Sequence, residues 1–250
     1  MFQHPLFSAS SATNSTPPDN KGLEFILMFM ENERLGAQLF PLELYCTTQE
    51  AQAVNVHVTS PKSGSPSVDE YFTVSDGQVH KVIIDGAFRM NGNGIEQKGI
   101  LITADAEVAC YGANKETLSN DVFLGLPVDA LGTDYYAMVH SPALVKTEIG
   151  LAGTADGTDV TITLPAGNGP LNVTFLGKTY REGGVIHATL QQYETLQIQS
   201  TGDLAGKIVI KCSLIDRPHL SISSLIHNLD NKANASLSRV FVLRCRHSSQ

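Results

Sequence analysis

The sequence contains no tryptophan, only four cysteines in 250 residues, and fewer basic than acidic side chains, 17 against 25. Each shortage excludes something. A formal charge of −8 argues against nucleic acid as a partner, because phosphate binding needs clustered Lys and Arg. No apolar run reaches the roughly 18 residues that a membrane-spanning helix requires, so no transmembrane helix is expected. Cys46, Cys110, Cys212 and Cys245 include no Cys-x-x-Cys pair, so zinc-site spacing is missing. There is no Gly-x-Ser-x-Gly nucleophile elbow, no His-Glu-x-x-His and no EF-hand spacing. Asn91-Gly-Asn-Gly94 lacks the Lys and following helix of a phosphate loop and reads as a hairpin tip. No cofactor is implied and no enzymatic activity is expected. A glycan-processing hydrolase stays open as a distant alternative, since the spacing of its two carboxylates is set by the fold.

What is present is β patterning. Hydrophobic residues make up 42% of the chain, enough for a core, with 21 Gly and 11 Pro as punctuation. Gly22 to Met30 is a dense apolar run that suits a buried strand or a helix fragment. Its successors are β-branched or aromatic and short: Leu42–Thr47, Val54–Thr59, Tyr71–Val74, His80–Ile84, Gly99–Thr103, Glu107–Tyr111 and Val122–Pro127. Tyr135–His140, Thr147–Ala152 and Asp159–Leu164 follow, the last setting Val160, Ile162 and Leu164 against Thr161 and Thr163. Asp156-Gly157 between two such runs signals a hairpin. The expected class is all-β and antiparallel.

The chain also resembles itself at an offset of about one sandwich-sized module. Gly22-Leu-Glu-Phe matches Gly132-Thr-Asp-Tyr, Thr47 to Val58 matches Gly153 to Leu164, and Lys98-Gly-Ile-Leu-Ile102 matches Gly206-Lys-Ile-Val-Ile210. The expected organisation is a disordered lead-in (1–21), a first sandwich-like β module (22–131), a second, truncated one (132–212) and a divergent tail (213–250). Propeller-like blades are the alternative arrangement.

Candidate sites are few. Asn14, Asn172 and Asn234 head glycosylation sequons. Two readings stand for Cys46 and Cys110, which lie on apolar strands: buried thiols acting as small hydrophobes, or a disulfide. His57 and His80 are expected on solvent faces of strands. Asp129, Asp134, Asp156 and Asp159 form the one local acid cluster, and turn chemistry accounts for the last two better than calcium does. The Pro61–Asp69 and Phe88–Gln97 loops are the candidate recognition surfaces, since loops vary without disturbing a core.

Four stretches together resemble the N-terminal domain of the IgGFc-binding protein family: GLEFILMFMEN (Gly22–Asn32), KGILITADAEVACYGANK (Lys98–Lys115), FLGLPVDALGTDYY (Phe123–Tyr136) and GTADGTDVTITLP (Gly153–Pro165). In the family these read as an apolar G-x-E-F opening, an "ITSDKPVxVYG" hairpin, "LPVDALGTEY" and "ATEDGTTVTIT". The match runs from about Gly22 to Lys211. The resemblance implies a secreted, mucus-associated or cell-surface binding and adhesion module without a catalytic centre. Its ligand would be a protein or glycoprotein; in vertebrate members the region is tied to the Fc part of immunoglobulin G. A purely structural spacer in a larger matrix or mucin-like protein is the alternative. The chain departs from the pattern in three ways: Met1–Asn20 has no signal-peptide organisation, the second unit lacks the closing hairpin, and no von Willebrand-type Cys-rich modules follow. The expected localisation is therefore extracellular by resemblance, with the chain read either as intracellular or as an incomplete gene product.

Overall fold

The computed structural model describes residues 19–32, 40–116, 120–137, 146–167, 169–202, 204, 208–214 and 222–228. Asn14, Asn234 and Cys245 lie outside them. The described residues form β1 (Gly22–Leu27), β2 (Leu42–Thr47), β3 (Val54–Thr59), β4 (Asp69–Val74), β5 (Val79–Ile84), β6 (Gly94–Glu96), β7 (Ile100–Lys115), β8 (Asn120–Leu124) and β9 (Asp134–Ala137). They continue with β10 (Thr147–Gly153), β11 (Thr158–Thr163), β12 (Asn172–Phe175), β13 (Lys178–Arg181), β14 (Val185–Leu190), β15 (Thr195–Ser200), β16 (Ile208–Leu214) and β17 (Ile222–Asn228). Among these residues the only helical pieces are two short 3-10 turns, at Gly86–Phe88 and Val128–Ala130. The protein is all-β with antiparallel ladders, as its patterning requires.

The long strand β7 organises the N-terminal half. Its first residues pair with β1 on one edge and β3 on the other, so that Ile102 faces both Phe25 and Val58. Its last residues pair with β2 and β8, with Tyr111 opposite both Tyr45 and Leu124. The orders β4-β3-β7-β1 and β5-β2-β7-β8 are thus two wings of one sheet. The sheet curls nearly closed where Phe72 of β4 stacks on His80 of β5 at 3.8 Å. Inside lie Phe25, Phe29, Phe88, Met90, Leu44, Val56, Val58, Ile102 and Phe123. Each such side chain contributes roughly 1.5–3 kcal/mol by leaving water.

Two four-stranded sheets, β14-β11-β16-β9 and β17-β10-β15-β6, make up the C-terminal half. Ile149, Leu151, Val160, Ile162, Ile186, Leu196 and Ile198 are buried between them. The β12–β13 hairpin adds Val173 and Phe175 to this core. Partners are taken in the same order in both halves: β2 and β10 pair with β5 and β15, and β3 and β11 pair with β4 and β14.

The halves meet through β10 and β15, all of whose residues are buried. One face of the pair lies in the C-terminal core. The other carries Glu148, Gly150, Ala152, Thr195, Gln197 and Gln199 against the N-terminal half. A Cβ on Gly150 would come within 2.7 Å of Met30 and 2.8 Å of Met28, so only glycine lets these methionines lie flat on the strand. β6 comes from the N-terminal half yet extends the C-terminal sheet along β15. The Gln197 amide accepts from Glu31 N at 2.8 Å and donates to the Gly92 carbonyl at 2.9 Å.

Two local expectations fail. Asp156-Gly157 makes a turn, with Gly157 at φ +69°, but not a hairpin. β10 and β11 enter different sheets, because β10 is covered on both faces and the chain must arch from one layer to the other. Likewise Gly99–Thr103 and Glu107–Tyr111 are not two strands folded at Ala104-Asp105 but parts of the single β7. Asp105 does not turn the chain: its carboxylate accepts from the Asn55 N–H at 2.8 Å and side-chain amide at 2.7 Å.

Candidate binding surface

Alternation along β3, β4 and β7 places Val56, Val74 and Ile102 inward and Asn55, His57, Tyr71, Thr73, Thr103 and Asp105 outward. Register then brings the outward set together. His57 stands opposite Tyr71 on one side and Thr103 on the other, and Asn55 stands opposite Thr73. These residues line a shallow concavity of about 400 Å³.

Its floor is aromatic. The rings of His57 and Tyr71 stack with centroids 3.6 Å apart and planes 12° from parallel. His57 Nε2 lies 2.7 Å from the Asp69 carboxylate, which holds the ring in place. Tyr71 is 73% exposed, an unusual condition for a large ring lying flat on a sheet. Its rim is polar. Hydrogen bonds from the Asn55 side chain and backbone lower the Asp105 carboxyl from its ordinary value. Thr73 Oγ1 donates to Asn55 Oδ1 at 3.2 Å. Both carboxylates at the site are occupied, Asp105 by Asn55 and Asp69 by His57.

The Pro61–Asp69 loop borders this surface and is ordered from within. Ser60 Oγ accepts from Val68 N at 2.8 Å, Ser63 Oγ donates to the Pro66 carbonyl at 2.5 Å, and Asp69 ends the loop on His57. Phe88–Gln97, the other candidate loop, is mostly committed to the interior. Phe88 and Met90 are core residues and β6 is paired. Asn93 side-chain groups bond the Gln199 backbone.

A second exposed face covers the β5-β2-β7-β8 wing. Val79, Ile83 and Val122 stand 63%, 52% and 57% exposed around Glu43 and Tyr45. The Tyr45 hydroxyl donates to Glu43, and with Lys115 at 2.9 Å and Lys81 at 3.4 Å it pulls that carboxyl down to about 2. The face therefore sets exposed apolar side chains around a Glu43 carboxylate held by two lysines.

His80 departs from expectation. It stands opposite buried Cys46, so it lies on the inward side at the closing edge, against Phe72 and 3.2 Å from Glu70. Asp156 and Asp159 serve local structure, accepting from Gln192 N at 2.9 Å and Thr189 Oγ1 at 2.7 Å. Asp129 and Asp134 are exposed. Among the described residues no group of three or more His, Cys, Asp and Glu is arranged to hold a metal ion. Asn172 opens β12 with its side chain exposed. Tyr71, Asn55 and Asp105 were not singled out by sequence. Their outward phase is readable from alternation, but their convergence needs the pairing of three strands.

This is an all-β protein with an exposed aromatic concavity on its N-terminal sheet. The comparisons agree with the resemblance read from Gly22 to Lys211. Residues 121–216 match the family described as IgGFc binding protein. Over 193 residues, 76% of the chain, the sequence is 29% identical to human IgGFc-binding protein, of which it spans 3%. No solved structure matches the chain.

Proposed function

We propose that the chain is an extracellular, non-enzymatic recognition module that engages a protein or glycoprotein through the β3-β4-β7 concavity. The observation that carries this reading is Tyr71, exposed and stacked on His57 above polar groups already fixed by Asn55, Asp69 and Asp105. Exposed, pre-positioned aromatic rings dominate the energetics of protein contacts. A spacer with no ligand has no use for such a ring. The similarity to the IgGFc-binding family supports a binding role, extracellular placement and the absence of catalysis. Mucus association and adhesion are the finer reading proposed from the resemblance in the sequence. The matching order of strand pairing, together with the offset matches, supports two copies of one β unit divided near Leu131. Asn172, exposed at the start of a strand, is the favoured glycan acceptor.

The test is secretion of the full chain behind an added leader, followed by binding to immunoglobulin G, its Fc fragment and a panel of mucin-type and serum glycoproteins. The expected result is a ligand whose affinity falls at least about tenfold in Tyr71→Ala and is unchanged in His187→Ala, on the distant β14. A ligand bound equally by wild type and Tyr71→Ala removes the concavity as the site. A panel without any ligand favours the spacer.

A further inference from the structure

Cys46 and Cys110 stand opposite each other in the β2–β7 ladder. Both are fully buried and their sulfurs touch at 2.9 Å. Directly opposed residues of an antiparallel pair have Cα atoms about 4.5–5.5 Å apart, inside the roughly 4.4–6.8 Å that a disulfide spans. Register therefore places the two backbones within the range a disulfide spans, and no other described cysteine side chain competes for either sulfur. We propose that Cys46 and Cys110 are the site of an oxidative modification, a cross-strand disulfide formed by exchange with a dithiol–disulfide oxidant of the secretory route. The inference rests on the extracellular reading, since such bonds persist in oxidising compartments.

The exchange balances. One cysteine thiolate attacks the oxidant's disulfide, making a mixed disulfide and releasing one oxidant sulfur as thiolate. The other cysteine thiolate then attacks the mixed disulfide at the protein sulfur, forming the Cys46–Cys110 bond and expelling the second oxidant sulfur. The pair gives up two electrons, and its two protons end on the oxidant's thiols. Burial sets the timing. The folded core pushes the Cys110 thiol well up and keeps it protonated, so exchange precedes closure of β2 on β7. Once closed, the same core keeps reductants away. The bond links positions 64 residues apart and fixes the β5-β2 wing to the strand that also carries the recognition face.

The full chain is prepared twice: secreted behind an added leader, and refolded from the reduced state in a glutathione redox buffer. Free thiols are blocked in denaturant and non-reduced peptides are mapped by mass spectrometry. A cross-linked Cys46–Cys110 peptide is expected in both preparations, resistant to dithiothreitol in the native protein and cleaved once urea is added. Blocked Cys46 and Cys110 in the secreted protein overturn the proposal, as does pairing of either with Cys212 or Cys245. If cells retain the chain, the refolded sample decides: a Cys46–Cys110 link upholds the bond while the extracellular reading falls, and blocked thiols sink it.

Discussion

Glu116→Gln tests the account of the interior most directly. Arg89 and Glu116 form an ion pair at 2.8 Å whose side chains are 2% and 1% exposed. The guanidinium is further fixed by Asn114 Oδ1 at 2.8 Å and the Lys115 carbonyl at 3.0 Å. Asn114 in turn donates to the Met30 carbonyl at 2.8 Å, so the pair anchors the end of β7 to the segment after β1 whose Met28 and Met30 pack on Gly150 of the other half. Glutamine keeps the shape of Glu116 and removes only its charge. A buried guanidinium left without its counter-charge costs about 3–5 kcal/mol, a large fraction of the roughly 5–15 kcal/mol by which domains are stable. For a chain this long each kcal/mol moves the melting midpoint about 2–4 °C, so a fall of roughly 6–20 °C is expected. Urea unfolding followed by far-ultraviolet circular dichroism reads the loss, since no tryptophan is available as a probe. The double variant Arg89→Met/Glu116→Leu removes both charges at similar volume and is expected within about 1.5 kcal/mol of wild type. A Glu116→Gln protein within about 0.5 kcal/mol of wild type, the range of inert surface changes, would show that the pair carries none of this burden and refute the reasoning.

Glu148 gives a prediction of pH dependence. Burial, with Glu31 and Asp121 nearby, raises its carboxyl well above 4.5, against smaller opposition from Lys146 and Gln199. A carboxyl raised by folding holds its proton longer in the native state, so stability falls as pH climbs above 4.5. Glu148→Gln is expected to unfold at higher urea than wild type at pH 7 and to converge with it at pH 4.5 and below; parallel curves across that range would contradict this. Gly153→Ala sets a Cβ 2.5 Å from the Gln191 carbonyl oxygen, so a loss of about 1–3 kcal/mol is expected, read as a lower urea midpoint. If the Cys46–Cys110 bond exists, the double alanine variant loses about 4 kcal/mol relative to oxidised wild type, from the 64-residue separation that it closes. A midpoint equal to that of the oxidised protein would show that the bond is missing or idle.

Class and strand positions were legible because each depends on local pattern. Val54, Val56 and Val58 alternate with polar residues and occupy the buried face of β3. Val160, Ile162 and Leu164 do the same at β11. The β7 reading failed because Ala104-Asp105-Ala106 interrupts the apolar alternation, which along the chain looks like a turn. In space this is where one strand passes from one wing to the other, and Asp105 is satisfied by Asn55, fifty positions away. The hairpin at Asp156-Gly157 failed for a related reason. Turn chemistry specifies that the chain reverses, not which sheet receives the next strand.

By itself the sequence determined the all-β class, most strand locations, the alternation along β3 and β11, and the resemblance that the comparisons return, while the phase of β5 at His80 was misread. Periodicity, turn residues and motif identity are properties of neighbours along the chain. Tertiary structure decided the rest. Only long-range register sets Cys46 against Cys110, stacks Tyr71 on His57 beside Asp105, and makes Gly94–Glu96, within the Phe88–Gln97 segment, the short edge strand that joins the two halves. Those outcomes depend on which strands share a ladder, and that choice is made by burying Phe25, Phe29, Met30 and their partners together rather than by any residue's own preference.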